Sequence, residues 1–91
     1  MISKEVKELK EIFEIFANEH RLTILKFLKE KKSGSVGEIA DGTGASFKAI
    51  SKHLLFLAKK GILNRQYDGH FVLYKISDDL SVTTRAIISN F

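Results

Sequence analysis

Ninety-one residues, 44% of them apolar, are enough for one small core and one domain. The chain has no cysteine, which excludes a disulfide framework and a thiolate metal site, and no proline, which favours uninterrupted helices. No apolar run approaches a membrane span and no signal-peptide pattern opens the chain, so a soluble cytoplasmic protein is expected, and its net charge of +4 suits an anionic partner.

That charge is unevenly spread. Residues 1–32 carry a net of +2 and residues 33–42 a net of −2. Residues 43–75 carry Lys48, Lys52, Lys59, Lys60, Arg65 and Lys75 against Asp68 alone, a net of +5, and residues 76–91 carry −1. A surplus gathered in one stretch is the footprint of a phosphate-binding face.

In chain order, Ile2, Val6, Leu9, Phe13 and Phe16 follow the rhythm of an amphipathic helix, predicted over residues 2–17. Lys4–Glu8, Lys7–Glu11 and Lys10–Glu14 are spaced to pair across its polar face, in the less favourable Lys-first order. Ile12 and Ile15 widen the apolar stripe beyond one packing surface. The excess points to a second partner, most simply a dimer mate; burial on two sides within so small a chain is the lesser alternative.

Asn18 is a good N-cap and Glu19 suits a first turn, so a second helix is expected from Glu19 to Lys31. Leu22, Ile24, Leu25, Phe27 and Leu28 cover much of its circumference and mark it as the central core helix. Ser33-Gly34-Ser35 reads as a turn or a short extended piece. Ser35 and Glu38 have capping-box spacing, so a short helix is predicted over Val36–Gly42, with Ile39 and Ala40 inward and Gly42-Thr43-Gly44 breaking it.

The next stretch carries the clearest pattern. Ser46 stands where an N-cap belongs and Gly61 where a C′ glycine belongs. Between them Phe47, Ile50, Leu54, Leu57 and Ala58 form an apolar back, with Lys48, Lys52, Leu55 and Lys59 opposite. A short helix, a glycine turn and a longer basic helix follow the helix-turn-helix order, which helical hairpins that touch no nucleic acid share. A basic front on an apolar back is what the DNA major groove accepts; the plainer alternative is a surface helix with lysines for solubility.

Ile62–Tyr67 and His70–Ile76 flank Asp68-Gly69, a strong two-residue hairpin signal. Phe71, Leu73 and Lys75 alternate with Val72, Tyr74 and Ile76. Ser77-Asp78-Asp79 is a capping cluster, and Leu80, Ile87, Ile88 and Phe91 share a helical face, although Val82-Thr83-Thr84 work against a helix. A last helix over residues 78–90, packed beside the first, is predicted. The fold class is therefore mainly α with a small β-hairpin, a winged helix-turn-helix in the order α-α-α-α-β-β-α.

With these elements placed, the chain resembles the arsenic-repressor-type (ArsR) winged-helix transcriptional regulators over nearly its whole length. Phe16 to Leu25, FANEHRLTIL, is similar to that family's "ADPTRLRIL"-like second-helix start, with Asn18 for the aspartate and Glu19 for the proline. Ser46 to Leu54 with Gly61-Ile62-Leu63 resembles its "SQSTVSRHL…L…AGLV" recognition helix, and Tyr67–His70 with Tyr74–Ile76 its wing. The resemblance implies a symmetric dimer joined by the first and last helices and bound to an operator in duplex DNA. The chain departs from the family in sensing. Val36–Ala40 stand where many relatives carry cysteines, and Leu80–Phe91 hold no His, Asp, Glu or Cys for a last-helix zinc site. No metal and no cofactor is expected, the isolated histidines His20, His53 and His70 included; a small-molecule effector is left open.

The expected DNA-binding residues are Ser46, Lys48, Ser51, Lys52, His53, Lys59, Lys60, Arg65, His70 and Lys75. Lys48, Ser51 and Lys52 are placed for base edges or nearby phosphates. Lys59, Lys60, Arg65 and Lys75 suit phosphate or plain solvation. His53 is read first as a packed residue bonded to backbone and second as a base reader. His70 belongs at a wing tip, near a minor groove or phosphate, or simply exposed. Arg21 is left between phosphate and an internal acid. The expected dimer interface is Val6, Leu9, Phe13 and Phe16 with Leu80, Ile87, Ile88 and Phe91.

The reading is a sequence-specific regulator of transcription on double-stranded DNA, a repressor acting as a homodimer. Its recognition helix 46–60 enters the major groove and its wing 62–76 meets the flanking backbone or minor groove. The alternative is a winged-helix protein–protein adaptor with no specific DNA target. An enzyme lacks support, for the chain shows no nucleophile–base pair, phosphate-cradling loop or metal cluster.

Overall fold

Every helix of this chain begins on a side chain that accepts a backbone N–H three residues on. In the computed structural model, which covers residues 1–91, Ser3 caps α1 (Lys4–Phe16) and Asn18 caps α2 (Glu19–Lys31). Ser35 caps α3 (Val36–Thr43), Ser46 caps α4 (Phe47–Lys59) and Ser81 caps α5 (Val82–Ser89). Each such cap contributes about 1 kcal/mol and places its helix start in the chain. At α3 the capping box is complete: Glu38 N–H donates to Ser35 Oγ at 3.2 Å and Ser35 N–H donates to the Glu38 carboxylate at 2.9 Å.

Several boundaries differ from expectation, beginning with α1, which starts at Lys4 rather than residue 2 because Ser3 is its cap. α3 runs through Gly42 and Thr43 and ends on Gly44, whose φ is 74°. α5 begins at Val82 rather than residue 78, because Ser77 Oγ accepts the Asp79 N–H at 3.1 Å in a local turn and the cap falls to Ser81. The β-branched trio then fills the first turn, where buried Thr84 is held by Ser81 through both its N–H and its hydroxyl.

The core is one continuous cluster. Ile24, Leu25 and Leu28 of α2, Ile39 of α3 and Ile50, Leu54 and Leu57 of α4 are fully buried, with Ile15, Phe16, Ile62, Leu63, Tyr74 and Ile88 around them. Leu22 is exposed and Phe27 half-buried, against the expectation that both are central. At about 100° per residue they fall on either side of the stripe made by Ile24, Leu25 and Leu28.

After α4, Gly61 takes a φ of +78° and turns the chain into the wing. β1 (Leu63–Asp68) and β2 (Phe71–Ile76) pair antiparallel in a register running from Leu63↔Ile76 to Asp68↔Phe71. Asp68 is thus a paired residue, and the two-residue turn is Gly69-His70, one position later than Asp68-Gly69. Gly69 alone has positive φ there, +64°, which suits a turn with glycine first rather than one needing two left-handed residues. Gly34 adds a one-residue bridge, donating to Tyr74 O at 3.0 Å and accepting its N–H at 2.8 Å, so the α2–α3 connection is tied to the wing.

α1 projects as an arm: residues 1–11 are all exposed, and the molecule measures 48 × 23 × 22 Å. Between α1 and the segment that opens α5, a cleft is lined by Ile12, Ile15, Leu80 and Thr84. The Phe16 and Phe91 rings meet edge-to-face, 6.3 Å between centroids. The end of the chain is held by Lys29, whose Nζ donates to the Ser89 and Phe91 carbonyls at 2.9 and 3.0 Å.

Candidate nucleic-acid interface

α4 lies with Ile50, Leu54 and Leu57 in the core and α2 and α3 packed behind it. Its outer face carries Lys48, Lys52 and Lys59, all exposed, with exposed Leu55 among them. None of its 13 residues is acidic. The three lysines have no ion-pair partner, so their charge is free to meet an anion. Two of the expected α1 pairs form, Lys4–Glu8 at 3.9 Å and Lys10–Glu14 at 3.0 Å.

The remaining basic residues divide. Lys60 ends α4 and is exposed, and Arg65 and His70 are exposed on the hairpin. Lys75 sits apart: it is half-buried, lies 3.5 Å from Asp78 Oδ2, and pairs with Asn64 in the strand register. Directly opposed residues share a face, so Lys75 and Arg65 lie on opposite faces of the wing. Ser46 is exposed with its hydroxyl engaged as the α4 cap, accepting the Ala49 N–H at 3.1 Å. Ser51 is half-buried on the flank of the lysine face.

Phe47 corrects the helical wheel. Periodicity puts it on the apolar back, yet it is 62% exposed. It opens the helix one residue after the cap, and the core closes at Ile50, so no neighbouring element reaches it.

His53 also differs. It is half-buried, but its partner is the His20 ring of α2, stacked at 5.4 Å between centroids and 22° between planes, and no bond to backbone forms. Its pKa is lowered from the usual histidine value, first by burial and then by the charges of Arg21, His20 and Lys52. The free protein therefore holds His53 as a neutral imidazole at neutral pH.

Arg21 pairs with no acid within the chain. Its Nη1 donates to the carbonyls of Glu14 and Ile15 at 3.2 and 3.4 Å, and its guanidinium lies 3.7 Å from the Phe56 ring centroid. It thereby satisfies carbonyl groups at the C-terminal end of α1 and joins α1, α2 and α4.

Of the residues expected between subunits, Val6, Leu9 and Phe13 are exposed with Ile2 beside them, and Val6, Leu9, Phe13 and Ala17 line an open apolar hollow. Leu80 and Ile87 are half-buried and Phe91 is partly exposed. Phe16 and Ile88 are buried in their own chain's core cluster and present almost no free surface.

Comparison with known proteins bears on this geometry. A family model described as "Bacterial regulatory protein, arsR family" matches residues 18–65. The transcriptional activator HlyU of Vibrio cholerae is 38% identical over 61 residues, which span 67% of this chain and 56% of HlyU. The HTH-type transcriptional regulator YgaV of Escherichia coli K12 is 33% identical over 70 residues, 77% of this chain and 71% of YgaV. Among solved structures, HlyU superposes with a TM-score of 0.81 at 30% identity, covering 98% of this chain and 92% of its own. The antimony-specific repressor AntR superposes with a TM-score of 0.82 at 26% identity, covering 98% of this chain and 78% of its own.

Proposed function

The chain belongs to the arsR family of bacterial regulatory proteins, DNA-binding transcription regulators with a winged helix-turn-helix, and from that premise we propose that it is a homodimeric, cytoplasmic repressor of specific operators in duplex DNA. α4 enters the major groove, with Lys48, Ser51 and Lys52 toward base edges and phosphates. Lys59, Lys60, Arg65 and His70 meet the flanking backbone, the last two from the wing. The observation that carries this reading is the outer face of α4, where exposed lysines stand without an acid among them on a helix anchored by the core. The exposed Ile2, Val6, Leu9 and Phe13 row supports a two-fold partner, which sets a second α4 about one duplex turn (~34 Å) away. AntR is described as antimony-specific; this chain has no cysteine and so no thiolate to offer a soft metal.

Replacing Lys52 with alanine tests the reading. On an operator selected from a random duplex pool, gel shifts over a salt series are expected to show weaker binding. The log-affinity against log-salt slope should be shallower by about 0.9 for each phosphate that is no longer neutralised. An unchanged affinity and slope would remove Lys52 from the interface. Failure of the wild-type chain to bind any duplex at low salt would leave the protein–protein adaptor as the better account.

A further inference from the structure

The exposed ring at the start of α4 has no role in the fold. Phe47 is 62% exposed, while Ile50, one turn later, is fully buried. Single apolar residues on a surface are ordinary, so exposure alone says little. The position says more. Residues at the N-terminal end of a helix docked in the major groove are the ones that meet base edges. Phe47 has Ser46 and Lys48 as neighbours, and it shares a row with Ser51 and exposed Leu55, four and eight residues on, along the flank of the lysine face.

A phenyl ring makes no conventional hydrogen bond. Set against the donors and acceptors of most base edges, it would dry polar groups without replacing their water. The major groove offers one apolar group, the C5-methyl of thymine. We propose that Phe47 is a specificity residue that reads a thymine in each half-site through that methyl. This inference rests on the DNA-binding reading of α4 above.

The experiment uses the full chain and operators it selects from a random duplex pool, alongside Phe47→Ala and Phe47→Leu, with circular dichroism to verify folding. The wild type should enrich thymine at one position per half-site, F47L should retain that preference, and F47A should lose it while still binding DNA. Replacing that thymine with uracil, which lacks only the methyl, should weaken wild-type binding about fourfold per half-site and leave F47A unchanged. Equal preferences for wild type and F47A, or indifference of the wild type to uracil, would overturn the proposal with DNA binding intact. If no duplex is bound at all, the underlying reading fails with it. Were F47A not to fold, F47L and the uracil substitution on the wild type still decide.

Discussion

His53 illustrates how one side chain on α4 answers to a residue on another helix. Half-buried, and faced by Arg21, His20 and Lys52, it binds a proton less readily when folded than the usual 6.5. The unfolded chain therefore takes up that proton first as pH falls, which favours unfolding. Its contribution to stability is whole above about pH 6.5 and diminishes as pH drops toward the folded value. Urea unfolding at pH ~5.5 and ~7.5 should show the wild type losing more stability on acidification than His53→Gln, which keeps a polar side chain but cannot titrate. Equal losses in the two proteins would show that the site does not disfavour the charged ring.

Among the elements, the junction between α4 and the wing is set by one backbone angle. Gly61 sits at φ +78°, and a Cβ added there would meet nothing within 4 Å. Substitution therefore tests the angle alone. Gly61→Ala should lower stability by about 1–2 kcal/mol in urea titration, and Gly61→Asn by less, since asparagine visits the left-handed region more readily. If alanine proved as stable as glycine, the reversal after α4 would not depend on that angle. The caps of α2, α3 and α4 and the glycines that end or turn the chain are readable as local signals, because each concerns a few consecutive residues. The wheel errs at Phe47 for a physical reason: periodicity gives the direction a side chain faces, whereas burial also needs a neighbour at that height along the helix.

For the whole molecule, the projecting α1 is the feature with the most exposed apolar surface, and the proposed dimer gives it a partner. Val6, Leu9 and Phe13 of α1 are exposed, with Ile2 just before the helix, and in a dimer they would meet their own copies. Phe13→Glu should leave circular dichroism unchanged, because Phe13 is 56% exposed in its own chain. It should give a monomer in sedimentation at about tens of micromolar, where the proposed function requires the wild type to sediment as a dimer. The monomer should also bind operator DNA more weakly, because it brings only one α4 to the duplex. A wild-type monomer at that concentration would count against the two-fold arrangement and leave the arm to another partner.

The residues alone determined the order of elements, the capped α4 with its cationic outer side, and the lack of a thiolate, since period, caps and composition are properties of neighbours in the chain. Only the tertiary structure decided that Phe47 faces outward and that Phe16 and Ile88 are spent inside their own subunit. The same holds for Lys75 turning to Asp78, Arg21 closing the end of α1, and the meeting of His20 with His53. Those outcomes depend on which distant surfaces arrive at the same space, and a close-packed interior admits one occupant.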